Sequence, residues 1–159
     1  MKVTVFLYTY VVSIALHCIA FGEVDTLTAA SRISASGMHA QSERLKIIAQ
    51  NLANMEVTGI TQDQDPYRRK IIFFKNEFNE DAKTEIVSVE RISHDSSDFM
   101  LKYQPSHPAA DERGYVKYPN VHLAIETVDA KEAQRSFEAN LSAFEITKSN
   151  QHKLIELIK

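Results

Sequence analysis

A seven-residue ladder near the end of the chain constrains the fold most. Leu123, Ala130, Phe137, Phe144 and Ile158 stand seven or fourteen residues apart, with polar Gln151 on the remaining rung. That period belongs to an amphipathic helix with a seam along one side, and it predicts a helix over 121–158. Thr127, Gln134, Leu141, Lys148 and Ile155 fill the rungs four residues on, and Ile125, Val128, Ala133 and Leu154 widen the stripe. Asn120 suits the N-cap. Glu126 and Asp129 lie early and Lys153 and Lys159 late, as the helix dipole favours.

A second helix is predicted over 26–54. Leu27, Ala30, Ile33, Ser34, Gly37, Met38, Gln41, Leu45, Ile48, Leu52 and Met55 recur at three- and four-residue steps. Asp25 or Thr26 can cap its start, and Thr58-Gly59 follows its end. One part of this face is small, with Ala30, Ser34 and Gly37 one above another. A helical glycine costs about 1 kcal/mol relative to alanine. The cost is tolerable where another backbone approaches closely; a local kink is the alternative.

Between the helices the pattern changes. Short runs rich in Val, Ile, Phe and Tyr predict strands at 67–74, 84–92 and 98–103. In the last, Phe99, Leu101 and Tyr103 alternate with Met100, Lys102 and Gln104. Residues 76–83 and 93–97 read as polar connections, and Pro105, Pro108 and Gly114 mark a loop.

Lengths then set the architecture. At 1.5 Å per residue the helices span about 43 and about 57 Å. A compact domain of about 137 residues, the chain without its first 22, is about 37 Å across. Both helices overhang such a globule, and the insert is too small to cover two apolar stripes. The expected fold class is therefore α+β: two long terminal amphipathic helices pairing as an antiparallel or coiled-coil-like hairpin, with a small central β-rich insert. The expected divisions are an N-terminal extension at 1–22, a helix at 26–56, the insert at 60–119 and a helix at 120–159. The stripe left uncovered points to assembly with other subunits.

The extension is apolar. Lys2 is followed by no Asp, Glu, Lys or Arg until Glu23, and Ala20-Phe21-Gly22 is a small-x-small ending. A secretory signal, a membrane anchor and a start placed too far upstream all fit this pattern.

Other chemistry finds little support. A net charge of -3 and a single short basic patch, Pro66 to Lys70, exclude a nucleic-acid partner. The one cysteine, Cys18, excludes an internal disulfide and a multi-cysteine metal cage. His17, His39, His94, His107, His122 and His152 show no metal-ligand spacing. Asp63-Gln64-Asp65 starts like a calcium loop, but Arg68 and Phe74 occupy the positions that need Gly and Glu. His94-Asp95-Ser96-Ser97 holds the residue types of a hydrolytic triad without triad geometry. Glu77, Glu80 and Asp81 read as a solvated hairpin end. No catalytic residue, cofactor, metal or small-molecule substrate is expected.

Ser36-Gly37-Met38, followed by Ile48-Ala49-Gln50-Asn51-Leu52-Ala53-Asn54, resembles the N-terminal helix of bacterial flagellar rod and hook proteins. Gly114 to Val121 is similar to the block before the C-terminal helix in proximal-rod members of that family. Arg135-Ser136-Phe137-Glu138-Ala139-Asn140 is similar to their arginine-serine-aromatic motif, and Pro66-Tyr67-Arg68 also fits. The likeness covers about residues 27–159. It implies a structural subunit of the proximal rod of the flagellar basal body, exported by the flagellar type III apparatus into the periplasmic space. Implied partners are other copies, other rod subunits (FlgB, FlgF and FlgG), and membrane-ring and rod-adaptor components.

The resemblance marks Gly37, Met38, Leu45, Ile48, Asn51, Leu52, Asn54, Tyr115, Pro119, Asn120, Phe137, Asn140 and Phe144 as assembly-motif positions. The asparagines would satisfy backbone groups at a helix end or between helices, and Phe137 would be a buried anchor. Phe74 to Phe78 resembles a short export signal of the family, although a strand and its turn explain it too. The apolar start departs from the family pattern. It keeps open a secreted or membrane-attached helical adaptor outside any flagellum.

Overall fold

Two long helices, α1 (Lys2–Ala53) and α2 (Leu123–Ile158), bracket four strands: β1 (Lys70–Asn79), β2 (Thr84–His94), β3 (Met100–Tyr103) and β4 (Tyr115–Tyr118). The computed structural model describes residues 2–158, with side chains over residues 26–157. The character expected of residues 1–22 lies outside those described side chains. Among the described residues no helix is long and apolar enough to cross a membrane. The architecture is α+β, with helices at both termini and two small antiparallel pairs between them, β1 with β2 and β3 with β4.

The β1–β2 ribbon is longer than the sequence pattern suggested. Asn76 to Asn79, expected in a connection, continue β1 and pair with Val87 to Thr84. Asn76, Glu77 and the apolar Phe78 are exposed on both faces of the ribbon, and Asn79 is half-buried. The tight turn follows: Asn79 Oδ1 accepts from the Ala82 N–H at 2.9 Å, and Lys83 takes φ 50°. Phe73 faces Arg91 while Phe74 faces Val89, so Glu90 is the extra residue of a β-bulge. The last strand, Tyr115–Tyr118, has no counterpart among the strands that the sequence pattern predicts. Its burial nevertheless alternates, with Val116 and Tyr118 inward and Tyr115 and Lys117 outward. Ala109, Val116 and Tyr118 form its small core, with Met100 and Ala110 against them.

Helices α1 and α2 pack against each other, and α1 also carries β1 and β2. The Ser36 hydroxyl accepts from the Val87 N–H at 3.3 Å and fastens β2 to α1. On α2 the ladder rungs Ala130, Phe137, Phe144 and Gln151 are half-buried. The companion row differs from expectation. Thr127, Gln134, Leu141, Lys148 and Ile155 are exposed, whereas Glu126, Ala133 and Thr147 are buried and Asn140 and Leu154 half-buried. The covered row is the one four residues before each rung, and most of it is small or polar. Leu123 is exposed, and Ile33 on α1 is exposed as well. Phe137 is half-buried, and the fully covered residue beside it is Ala133.

Candidate functional site: a polar junction at the root of the β insert

Three elements meet at one polar junction. Asn51 comes from the last turn of α1, Tyr67 to Lys70 lead into β1, and Glu126 comes from the first turn of α2. Asn51 is 1% exposed and Glu126 0%. Asn51 Oδ1 accepts from the Tyr67 hydroxyl at 2.8 Å and the Lys70 N–H at 2.9 Å. Its Nδ2 donates to the Lys70 carbonyl at 2.9 Å and Glu126 Oε2 at 3.1 Å. A carboxamide has two N–H donors and two acceptor lone pairs, so all four are used.

The other Glu126 oxygen accepts from Arg69 Nε at 2.6 Å. The same guanidinium reaches Asp95 at 3.4 Å and Asp129 at 3.5 Å. Asp129 in turn meets Arg44 of α1 at 3.5 Å. Asn120 was expected to cap α2, but its carboxamide is used elsewhere. Its Oδ1 accepts from the Arg69 N–H at 2.8 Å, and its Nδ2 donates to Ser97 Oγ at 2.8 Å. The first turn of α2 closes instead through the Glu126 N–H on the His122 carbonyl at 3.0 Å. Arg68 donates to the Asp95 and Ser97 carbonyls, each at 2.9 Å, and lies over the Phe99 ring.

These surroundings shift the titrating groups. Burial raises the Tyr67 phenol, and the Glu126 carboxylate raises it further. Burial pulls Arg69 down, but Glu126 and then Asp95 outweigh it, leaving a firmly held cation. The Ser97 backbone N–H holds Asp95 below the usual carboxylate range, with help from the Ser97 hydroxyl and Arg69. The triad-like string is thus a fastening: Asp95 is bound to Ser97 and Arg69, and exposed His94 pairs across the ribbon with Lys70.

The marked positions fall into separate groups. Asn51 and Asn120 both belong to the junction, and buried Pro119 precedes the latter. Asn54 Nδ2 donates to the Gln50 carbonyl at 2.7 Å and closes the end of α1. Ile48 is buried, while Met38, Leu45 and Leu52 are half-buried. Gly37 faces Asn140, whose Nδ2 donates to the Ser136 carbonyl at 2.8 Å. Phe144 is half-buried, with the Lys148 ammonium 5.7 Å from its ring centre. Tyr115 stands apart on the insert, edge-on to Tyr103 at 5.4 Å. Phe74 to Phe78 lie wholly within β1.

Sequence reasoning missed the centre of the junction. In the sequence Arg69 stands out only as part of a basic patch, Asp95 only within the triad-like string, and Glu126 only as a dipole partner. One signal was available. Glu126 shares a heptad row with Ala133, Asn140, Thr147 and Leu154, and a carboxylate on a covered row requires a cation nearby.

The helix–insert–helix layout and the Asn-bearing end of α1 define a class. Residues 32–61 match the family model described as flagella basal body rod protein. Over 136 residues the chain is 43% identical to the flagellar basal-body rod protein FlgC of Agrobacterium fabrum, covering 86% of this chain and 98% of that protein. Identity to the FlgC of Aquifex aeolicus is 41%, covering 80% of this chain and 93% of that one. To the FlgC of Bacillus subtilis it is 36%, covering 80% and 95%. The chain belongs to the FlgC family of flagellar basal-body rod proteins.

Proposed function

We propose that the chain is a structural subunit of the flagellar basal-body rod and performs no catalysis. The single observation carrying this is its kinship with FlgC proteins, which runs through both helices and the insert at 43% identity. Further readings extend it. The subunit belongs to the proximal rod, reaches the periplasmic basal body through the flagellar type III apparatus, and contacts further copies, FlgB, FlgF, FlgG and the ring and adaptor components. The kinship supports these readings as a class of neighbours and a place of work.

The two helices act as one antiparallel hairpin, with the insert (60–119) outside the assembling part. Three contacts support that pairing: Asn51 with Glu126, Arg44 with Asp129, and Gly37 with Asn140. Numbers fall along one helix as they rise along the other. Exposed Ile125, Val128, Leu141, Ile146 and Ile155 support assembly through the uncovered sides of α2. The contacts are heterologous, which lets subunits build an open helical shaft.

Deleting the gene and complementing with the full tagged chain tests this. The expected deletion phenotype is non-swimming cells whose basal bodies lack a rod, with both defects restored by the chain. Swimming deletion cells with complete rods would overturn the proposal. Genes for the other rod subunits in the same genome separate it from a free-standing adaptor.

A further inference from the structure

We infer that Glu126 and Arg69 are positioning residues that fix the direction in which the β3–β4 half of the insert leaves the two helices, while adding little net stability. The apolar contacts at this joint are few. Among the described residues its buried aliphatic side chains are Ile47, Ile48 and Val121, and two of the five largest fully buried side chains are Glu126 and Asn51. The β1–β2 ribbon lies on α1, but among the described residues neither β3 nor β4 packs on a helix; apolar burial is non-directional, and so small a set leaves that half free to turn. Hydrogen bonds and a planar guanidinium fork do not.

The bonds are distributed as an orienting device requires. Glu126 takes Asn51 Nδ2 on one oxygen and Arg69 Nε on the other, so α1 and the root of β1 are both aimed at α2. Arg69 extends the same fork to Asp95, just beyond β2, and to Asp129 on α2. Its backbone N–H is held by Asn120, and its carbonyl accepts from the Asp95 N–H at 2.9 Å. Turning the β3–β4 half would break the bonds of Arg69 to Asp95, where the chain enters that half, and to Asn120, where it leaves.

A buried ion pair is a costly way to obtain stability, because desolvation of the charges offsets much of their attraction. Replacing such a pair by apolar residues of similar size is often neutral or better. What the apolar pair cannot reproduce is direction. The bearing on the rod rests on the function proposed above, since a shaft repeats one subunit geometry many times; the positioning itself does not.

The test uses the full chain with Cys18→Ser, its one cysteine removed. Nitroxide labels go on exposed Arg113 of the insert and exposed Glu132 of α2, each changed to cysteine, and pulsed electron resonance reads their separation. The paired change Arg69→Met with Glu126→Met is expected to stay folded, with a thermal midpoint lowered by no more than about 5 °C because Asn51 Nδ2 loses one acceptor, and to widen the distance distribution at least twofold. A distribution as narrow as the parent's overturns the inference. So does loss of folding in the pair, because the residues would then be holding the fold together. Glu126→Gln is the second variant: it keeps the shape and an acceptor, and it should fold with an intermediate width. A width equal to the parent's there also counts against the inference. Swimming of complemented cells is scored separately and bears only on the flagellar reading.

Discussion

Gly37 of α1 lies so close to Asn140 of α2 that a Cβ added to it would sit 2.7 Å from Asn140 Oδ1. The glycine admits a side chain from the facing helix; the approach is by a carboxamide. Gly37→Ala is expected to destabilise the chain by about 1–3 kcal/mol through overpacking. With Asn140→Ala already present, the same change should instead stabilise by up to about 1 kcal/mol, the helix preference of alanine. A double-mutant cycle by urea unfolding measures the reversal. Equal effects in both backgrounds would show that the two residues do not meet.

Asn51 serves both backbone groups of Lys70. Asn51→Ala leaves these, the Tyr67 hydroxyl and one Glu126 oxygen short of a partner in a buried site. The expected loss is at least about 2 kcal/mol, since each unsatisfied buried group costs about 1–3 kcal/mol. Asn51→Asp keeps the shape but sets a second carboxylate beside Glu126 and should cost more. A loss below about 0.5 kcal/mol in either variant, typical of plain surface sites, would contradict the junction's role.

The sequence made the helices and the insert legible because their periods differ, near 3.6 against 2. Ala130, Phe137 and Phe144 identified one side of the seam correctly. The other side was misread because apolar Leu141 and Ile155 drew the stripe toward the wrong flank. The covered row is Glu126, Ala133, Asn140 and Thr147, small or polar residues that suit close approach, as Asn140 makes to Gly37. Hydrophobicity cannot signal a contact made of such residues. The junction was hidden for a related reason: Arg69, Asp95 and Glu126 look like surface charges until folding brings them together across as many as 57 residues. Among the asparagines, Asn51 and Asn54 do satisfy backbone groups as their chemistry suggested.

Alkaline pH should loosen the junction through Tyr67. Its folded pKa is raised, so its contribution is complete below the unfolded value of about 10 and is lost as pH rises through the folded value. Tyr67→Phe should flatten the stability curve above about pH 10 relative to the parent. Asp95 acts at the other end: its lowered pKa gives stability above the ordinary carboxylate range that is lost as pH falls through the folded value. Asp95→Asn should therefore remove part of the acid sensitivity. Unfolding midpoints followed across pH read both, and superimposable curves for variant and parent would count against the assigned causes.

The exposed row of α2 separates folding from assembly. Leu141→Ser and Ile155→Ser alter side chains 38% and 55% exposed, so the isolated chain's stability should change by less than about 0.5 kcal/mol. Incorporation into basal bodies, scored by blotting purified particles from complemented cells, should fall severalfold. Unchanged incorporation would move the subunit contacts to another face.

A cryo-microscopy map of basal bodies purified from cells carrying this chain tests the central claim most directly. The account predicts density for α1 and α2 side by side in the rod wall, Asn51 against Glu126, repeated along a helical stagger with the β insert outward. Rods whose wall contains no density for this chain would contradict it.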